Sequence, residues 1–191
     1  MSAEKGRLLT ALARAAIAAE LTAGRGQPLP ALPHPAWLDT SGACFITLTE
    51  NGQLRGCIGS LEAHRPLAQD VRENALAAAF RDPRFQPLSL EEFAFTSVEV
   101  SLLTPPAPMA FRDEADFMAQ LRPGEDGIVF QYGRHRSTFL PQVWESLPDP
   151  LLFMQQLKRK AGLPPNFWAA EVTVSRYTVS KWKEAEIRNA A

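Results

Sequence analysis

Cysteine and histidine are scarce in this chain: its 191 residues include two cysteines and three histidines. A zinc site built from these residue types needs closely spaced pairs of ligands. Cys44 and Cys57 are 13 positions apart, and His34, His64 and His135 are scattered along the chain. We therefore expect no dedicated metal site, and no motif indicates a cofactor.

An excess of charge of either sign is also missing. The 20 lysines and arginines stand against 21 aspartates and glutamates, which leaves a formal net charge of −1. Proteins that bind nucleic acids usually carry a basic patch or stripe. The balance of charge therefore argues against a general nucleic-acid binder.

Long apolar runs are absent as well. Spanning a bilayer takes about 20 consecutive apolar residues, and no segment approaches that length. The N-terminal segment carries Glu4, Arg7 and Arg14 among its apolar residues, whereas a signal peptide has an uninterrupted apolar centre. The sequence predicts a cytoplasmic protein without membrane contact. A chain that is 46% hydrophobic can form one substantial core, or one core with a small appended lobe.

The clearest local pattern lies in residues 44–61, where two apolar, β-branched runs flank Asn51-Gly52. Asn-Gly between two such runs is typical of a hairpin with a two-residue type I′ turn. Since side chains alternate along a strand, Arg55, Cys57 and Gly59 are predicted to share one face. The turn sets the following register: Glu50 opposite Gln53, Leu48 opposite Arg55, Ile46 opposite Cys57 and Cys44 opposite Gly59.

The two cysteines are predicted to be free thiols. In this register Cys44 and Cys57 lie diagonally across the hairpin on one face, where Cα atoms are about 7–8 Å apart. That separation exceeds the usual span of a disulfide. Thiols in the cytosol are also kept reduced.

The remaining periodicities predict an α+β protein, with mainly antiparallel sheet flanked by helices. Helices are predicted over residues 2–21, 66–80, 113–121 and 150–162, and a short one begins at the capping box Ser89–Glu92. Alternation predicts strands over 95–103 and 171–182, and a second hairpin over 128–140. A proline-rich segment, 24–35, is predicted to be a loop that covers a surface.

Cys57 has two competing interpretations. As a reactive thiol it would benefit from Arg55 on its face, because an adjacent cation favours the thiolate. Gly56 and Gly59 would then leave the sulfur accessible to a substrate. As a structural residue Cys57 would be a small, buried and inert packing group, since free cysteine is among the most buried residue types. The residues alone leave both interpretations open.

A nucleophilic cysteine also needs a general base. His64, a few residues past the hairpin's second strand, is the nearest candidate, and Glu99 in the strand 95–103 is another. Glu99 has an alternative role, because an isolated glutamate in an interior strand more often pairs with an arginine. Arg55 is a suitable partner for it.

The block Arg81-Asp82-Pro83-Arg84-Phe85 follows the second predicted helix. In one interpretation it is a helix-terminating turn whose arginines pair with acidic neighbours. In the other, Arg81 and Arg84 form a rim beside the hairpin that contacts an anionic substrate.

Five segments, in this order, resemble the motifs of a known family: 54–59 (LRGCIG), 79–85 (AFRDPRF), 98–106 (VEVSLLTPP), 139–143 (FLPQV) and 160–164 (KAGLP). Together they are similar to the AMMECR domain family, called AmmeMemoRadiSam system protein A in prokaryotes. The resemblance spans nearly the whole chain. It implies an α+β fold with a larger lobe, a smaller lobe and a cleft between them. The smaller lobe is predicted at about 105–148, and the larger lobe at about 1–104 with 149–191.

The resemblance also implies partners. The name of the system implies association with a Memo-like protein, which resembles a non-haem dioxygenase, and with a radical SAM enzyme. The chain is then an accessory or substrate-binding component. The alternative is an enzyme that uses Cys57 as an activated thiol on a small molecule. A third class, a nucleic-acid regulator, is disfavoured by the near-neutral charge.

One departure from the family bears on cysteine chemistry. The family's C-terminal block often has a cysteine shortly before Lys-Ala-Gly-Leu, and Lys158 occupies that position here. A redox or metal scheme that needs two cysteines is therefore undermined for this chain.

Overall fold

The computed structural model describes residues 3–23 and 31–184. The proline-rich loop predicted over 24–35 lies largely outside the described residues. The helices and strands, in chain order, are α1 (Ala3–Leu21), β1 (Ala43–Glu50), β2 (Gln53–Gly59), α2 (Leu67–Phe80), α3 (Leu90–Phe93), β3 (Thr96–Leu103), β4 (Ala107–Pro108), α4 (Glu114–Gln120), β5 (Gly127–Tyr132), β6 (His135–Phe139), α5 (Pro150–Lys160), β7 (Thr173–Tyr177) and β8 (Val179–Lys183). Two short 3₁₀ helices cover Ala36–Leu38 and Pro141–Glu145.

Two four-stranded sheets organise these elements, one with strand order β2-β1-β3-β8 and the other with β4-β7-β5-β6. Strand β1 is antiparallel to β2 and β3, and β5 is antiparallel to β6 and β7. The predicted α+β class with mainly antiparallel sheet is confirmed. No helix in the described part of the chain is long and apolar enough to cross a membrane.

The chain divides into two compact units, residues 1–103 with 180–191 and residues 104–179. The second unit includes α5 and β7, which the predicted boundaries assign to the larger lobe. The cleft that the resemblance implies stays a prediction.

The predicted final strand, 171–182, is two strands that belong to different sheets. Strand β7 pairs with β4 and β5, whereas β8 lies next to β3. Thr178 separates them: its carbonyl accepts a hydrogen bond from the backbone N–H of Thr104 at 2.9 Å, and its own N–H donates to the Thr104 hydroxyl at 2.9 Å. The polar pairing of Thr178 thus interrupts a pattern that alternates without a break in the sequence.

The core of the first unit forms where α1 and α2 pack on one face of its sheet. Residues at alternate positions of β1 and β3 supply the sheet's contribution, because every second side chain points to the same face. The buried side chains include Ile46, Leu48, Val98 and Val100 from the strands and Leu9, Ala13, Ile17, Val71 and Ala75 from the helices. We call this side of the sheet the helix-covered face.

The second unit has its own core around α5 and β5. The rings of Trp144 and Phe153 stack with centroids 3.7 Å apart, and Phe130 is fully buried beside them. Asp149 caps α5 by accepting hydrogen bonds from the N–H groups of the next turn, as the sequence predicts.

The first hairpin contains a β-bulge that is not among the features predicted from the sequence. Asn51 and Gly52 have φ angles of 50° and 80°, as a type I′ turn requires, and Glu50 lies opposite Gln53. The register then shifts by one residue, so that Thr49 faces Leu54 but Leu48 faces Gly56. The predicted pairings beyond the turn are therefore wrong. They are replaced by Leu48 opposite Gly56, Thr47 opposite Cys57, Ile46 opposite Ile58 and Phe45 opposite Gly59.

Candidate functional site

The bulge turns Cys57 to the face of the sheet opposite the helices. A shift of one residue moves every later side chain of a strand to the other face. Cys57 therefore pairs with Thr47, whereas Cys44 points into the helix-covered core and is fully buried. The prediction that the two cysteines share a face is wrong.

The two glycines around Cys57 fit tight packing. A Cβ atom on Gly56 would lie 2.2 Å from the Ala78 carbonyl oxygen of α2, and one on Gly59 would lie 2.2 Å from the ring of Phe45. The groups that approach these glycines in the structure are thus the helix backbone and an aromatic ring. The substrate-binding role of Gly56 and Gly59 stays a prediction.

The backbone of Cys57 is held from outside the sheet by the turn that follows α2. Strand β2 is an edge strand, so one side of its backbone has no neighbouring strand. The Cys57 N–H donates to Asp82 Oδ2 at 2.9 Å, and the Cys57 carbonyl accepts from Arg84 Nη2 at 3.3 Å. The turn therefore provides the hydrogen bonds that a further strand would supply.

The same geometry brings the Cys57 and Thr47 side chains together. Because the backbone groups of Cys57 point outward to the turn, Cys57 and Thr47 form a non-hydrogen-bonded pair, in which Cα atoms are about 4.5 Å apart. Thr47 Oγ1 lies 3.3 Å from Cys57 Sγ. Thr47 was not predicted as a site residue, since the sequence-based register places Cys57 opposite Ile46.

Arg84 and Asp82 form a close ion pair in this turn. Asp82 is buried and accepts hydrogen bonds from Arg84 Nε at 2.9 Å and Nη2 at 2.6 Å. The side-chain hydrogen bond from Arg84 holds the pKa of Asp82 well below its usual range. Arg81 lies 3.6 Å from Glu73. Both arginines thus have acidic partners, as one interpretation of this block predicts, and their contact with an anionic substrate stays a prediction.

Arg55 is turned away from Glu99 and binds α3 instead. Its Nε and Nη2 atoms each lie 3.2 Å from a carboxylate oxygen of Glu92, and Nη2 donates to the Gln86 carbonyl at 2.9 Å. The Arg55 hydrogen bonds, and then the backbone N–H of Ser89, lower the pKa of Glu92 to about 2. The suggested Arg55–Glu99 pair is therefore wrong.

Glu99 and Cys57 nevertheless lie in one row across the sheet. Thr47 of β1 faces Cys57 of β2 on one side and Glu99 of β3 on the other. All three side chains are half-buried. Two of the predicted catalytic residues thus share a face, with Thr47 between them.

This row belongs to a larger polar surface. We call the side of the sheet opposite the helices the polar sheet face; besides the ring of Phe45, it presents Thr47, Thr49, Cys57, Ser97, Glu99 and Ser101. The Ser97 hydroxyl oxygen is buried and has no hydrogen-bond partner among the described residues. Hydroxyl groups, a thiol and a carboxylate are groups that can bind a small polar molecule.

His64 lies apart from this row. It is exposed in the loop after β2, and its Nδ1 atom is 3.0 Å from the Glu62 carbonyl oxygen. In the residues that the structure describes, no hydrogen bond joins His64 to Cys57. Its role as general base stays a prediction. Among the described residues, no three histidine, cysteine or acidic side chains lie close enough together to hold a metal ion.

The fold and this face define a class: an α+β protein with two antiparallel sheets and a cysteine-containing polar surface on the first sheet. A family model described as AMMECR1 matches residues 10–182. The chain belongs to the AMMECR1 family.

Relatives match this chain over nearly its whole length. Protein MJ0810 of Methanocaldococcus jannaschii is 35% identical and covers 98% of this chain and 94% of its own length. A protein of Methanothermobacter thermautotrophicus is 37% identical, over 96% of each chain. The crystal structure of the uncharacterized protein PH0010 from Pyrococcus horikoshii is similar, with a TM-score of 0.77 and 33% identity over 96% of this chain and 93% of that one.

Proposed function

We propose that the protein is an accessory or substrate-binding component that holds a small polar molecule on the polar sheet face beside Cys57. The observation that carries the proposal is the row Cys57–Thr47–Glu99, which combines a thiol, a hydroxyl group and a carboxylate on one half-buried surface. Glu99 in this row and the neighbouring Ser97 hydroxyl have no hydrogen-bond partner within the described residues, whereas Thr47 and Cys57 contact each other. Unsatisfied polar groups at such depth favour a bound partner.

Within this proposal the molecule is passed to, or received from, a Memo-like protein and a radical SAM enzyme. Membership of the AMMECR1 family supports these partners through the resemblance to system protein A. From the sequence we expect the process to take place in the cytoplasm.

Alkylation of Cys57 tests the binding role for a ligand of any structure. The wild-type protein is treated with a maleimide in the presence and absence of the low-molecular-weight fraction of a cell extract. A bound molecule is expected to slow the reaction by a factor of about 1 + [L]/Kd. A small model thiol in the same mixture corrects for consumption of the reagent, and Cys57→Ser gives the background from Cys44. An unchanged rate at every concentration of the fraction contradicts the proposal.

Complex formation tests the partners separately. The purified protein is mixed with the Memo-like and radical SAM proteins of the same organism and examined by sedimentation velocity. A faster-sedimenting species containing both proteins is expected. Independent sedimentation at the highest usable concentrations would remove these partners and leave the binding role intact.

A second candidate function is an enzyme with Cys57 as the nucleophile. The favouring observation is the Arg84 guanidinium, which donates to the Cys57 carbonyl at 3.3 Å and so places a cation beside this residue. Reactive cysteines commonly lie next to such cations. The pH dependence of alkylation in wild type and in Arg84→Gln tests it: a reaction that persists at lower pH in wild type alone supports an activated thiol. Identical pH profiles would remove this candidate.

A further inference from the structure

Glu99 is an unusual residue for the interior of a strand. It is half-buried, and within the described residues it has neither a hydrogen bond nor an ion pair. Its neighbour on the same face, Ser97, has a buried hydroxyl oxygen that is also without a partner. Removing a charge from water without a partner is unfavourable. The pair therefore points to a group that is supplied from outside the chain.

Two cations lie on the adjacent strand of the same face. Trp182 of β8 packs toward α1, where a Cβ atom on Gly6 would lie 2.3 Å from its ring. Since side chains alternate along a strand, Lys181 and Lys183 point to the opposite side, which is the polar sheet face. Strand β8 is next to β3 in the sheet.

The end of β8 lies beside Glu99. Glu184, the residue after Lys183, accepts a hydrogen bond from the backbone N–H of Val98 at 2.9 Å. Lys183 is half-buried and Lys181 is exposed. In the described chain neither lysine forms an ion pair with Glu99. A carboxylate and two ammonium groups thus stand on neighbouring strands of the polar sheet face.

We propose that this part of the polar sheet face binds a zwitterionic small molecule that carries both an ammonium and a carboxylate group, as an α-amino acid does. The ligand's ammonium group donates to Glu99 and the Ser97 hydroxyl, and its carboxylate accepts from Lys183, with Lys181 at the open side. Neighbouring strands are about 4.8 Å apart, and charge-assisted hydrogen bonds of about 2.8 Å at each end let a small zwitterion span them. This inference rests on the proposed binding function and specifies its ligand class.

Both opposite charges on the ligand are required by this arrangement. A purely cationic ligand would satisfy Glu99 but meet the two lysines, and a purely anionic ligand would meet Glu99 at close range. Like charges in such contact are destabilising. The rest of the ligand would extend along the row toward Thr47 and Cys57, so its presence alters access to the thiol.

The experiment uses wild-type protein and defined probes. The free amino acids are tested one by one for protection of Cys57 against maleimide, each beside its N-acetyl derivative and its amide. At about ten times the dissociation constant, a free amino acid that fits is expected to slow alkylation about tenfold. Its N-acetyl derivative lacks the ammonium group and its amide lacks the carboxylate, so neither is expected to protect at the same concentration.

Variants then assign the charges. Glu99→Gln and Lys183→Met are each expected to weaken binding of the protecting amino acid by about tenfold or more in calorimetry. Glu91→Gln, an exposed carboxylate on α3, is the matched control and is expected to bind as wild type does. Far-ultraviolet circular dichroism and thermal unfolding establish that each variant is folded.

The outcomes separate this inference from the proposed function. If the cell-extract fraction protects Cys57 but no amino acid does, the zwitterion class is overturned and the binding role stands. Equal protection by the N-acetyl derivative or the amide also overturns it, since the protein would then not recognise one of the ligand's two charges. If neither the fraction nor any probe protects, both proposals fail.

Discussion

The two faces of the first unit's sheet treat their polar groups in opposite ways. On the helix-covered face, fully buried Asp70 accepts hydrogen bonds from four donors: the Cys44 N–H, the Ser60 hydroxyl, Arg65 Nε and Asn74 Nδ2, at 2.6–3.0 Å. On the polar sheet face, Glu99 and Ser97 have no partner in the described residues.

The difference separates structural polar groups from groups available to a ligand. A buried carboxylate with four donors is part of the packing, because removing it would leave each donor without an acceptor. A carboxylate left without donors on a half-buried face contributes little to folding and is free to bind something else. The cysteines follow the same division, since Cys44 belongs to the first face and Cys57 to the second.

The largest expected contrast is between the reactivities of the two thiols. Burial, followed by the neighbouring charge of Asp70, raises the pKa of Cys44 far above its ordinary value. Cys44 is also fully buried, so it reacts only when the structure opens. We expect native Cys44 to be alkylated at least about a thousandfold more slowly than Cys57. Mass spectrometry of Cys44→Ala and Cys57→Ser measures both rates, and similar rates would break the contrast between the faces.

Removal of the Asp70 carboxylate is expected to have the largest effect on stability. Asp70→Ala leaves several buried donors without an acceptor and is expected to lower the free energy of unfolding by about 3 kcal/mol or more. Urea denaturation gives the value. The exposed Gln69→Ala on the same helix is the control, expected within about 0.5 kcal/mol of wild type. A loss below about 1 kcal/mol for Asp70→Ala would contradict the structural role of this network.

The close approach of α2 to the bulge predicts an intermediate effect. In Gly56→Ala the new methyl group would stand 2.2 Å from the Ala78 carbonyl oxygen, which belongs to backbone and cannot simply rotate away. We expect a loss of about 1–3 kcal/mol in urea denaturation, as for other overpacked sites. Exposed Gln53→Ala on the same strand serves as the control. If Gly56→Ala is neutral, the glycine has another reason to be there.

The Arg55–Glu92 pair predicts a modest dependence of stability on pH. Its hydrogen bonds lower the pKa of Glu92 from 4.5 to about 2, so the stabilisation is present above about pH 4.5 and is lost as pH falls toward 2. Glu92 is partly exposed, which limits the contribution to about 1 kcal/mol or less. Denaturation at several pH values should give a steeper acid limb for wild type than for Glu92→Gln. Parallel curves would show that the pair does not stabilise the fold.

The smallest effect on the free energy of unfolding is expected at Glu99, and it tests the difference between the two sheet faces most directly. Glu99→Gln removes a charge that has no partner, so its free energy of unfolding should stay within about 0.5 kcal/mol of wild type or rise slightly. Glu91→Gln again provides the control. A loss of about 2 kcal/mol would mean that Glu99 supports the fold, and the distinction between the two faces would not hold.

Much of the local structure could be read from the sequence. The Asn51-Gly52 turn, the capping box at Ser89 and the cap at Asp149 depend on residues within one or two turns of chain, and all three are present in the structure. The bulge beside Arg55 could not be read in this way. It depends on where α2 packs over Gly56, and no residue within the hairpin reports the position of that helix.

The candidate site was predicted only in part, for the same reason. Cys57 and Glu99 do share a face, but the sequence linked them through Arg55, whose partner is Glu92. Thr47 was missed because it joins the row only in the shifted register. The available signal was the predicted pairing of Arg55 with Leu48, which would place a charged side chain on the buried apolar face of β1.

The kinds of elements, their approximate order and the family follow from the sequence alone, because caps, turns and periodicities act over short stretches of chain. Three features follow from the folded structure instead: the face that Cys57 occupies, the carboxylate that binds Arg55, and the point at which the last predicted strand divides between two sheets. Those outcomes depend on the packing of helices against strands distant in sequence, and a single bulge or a single threonine is enough to change them.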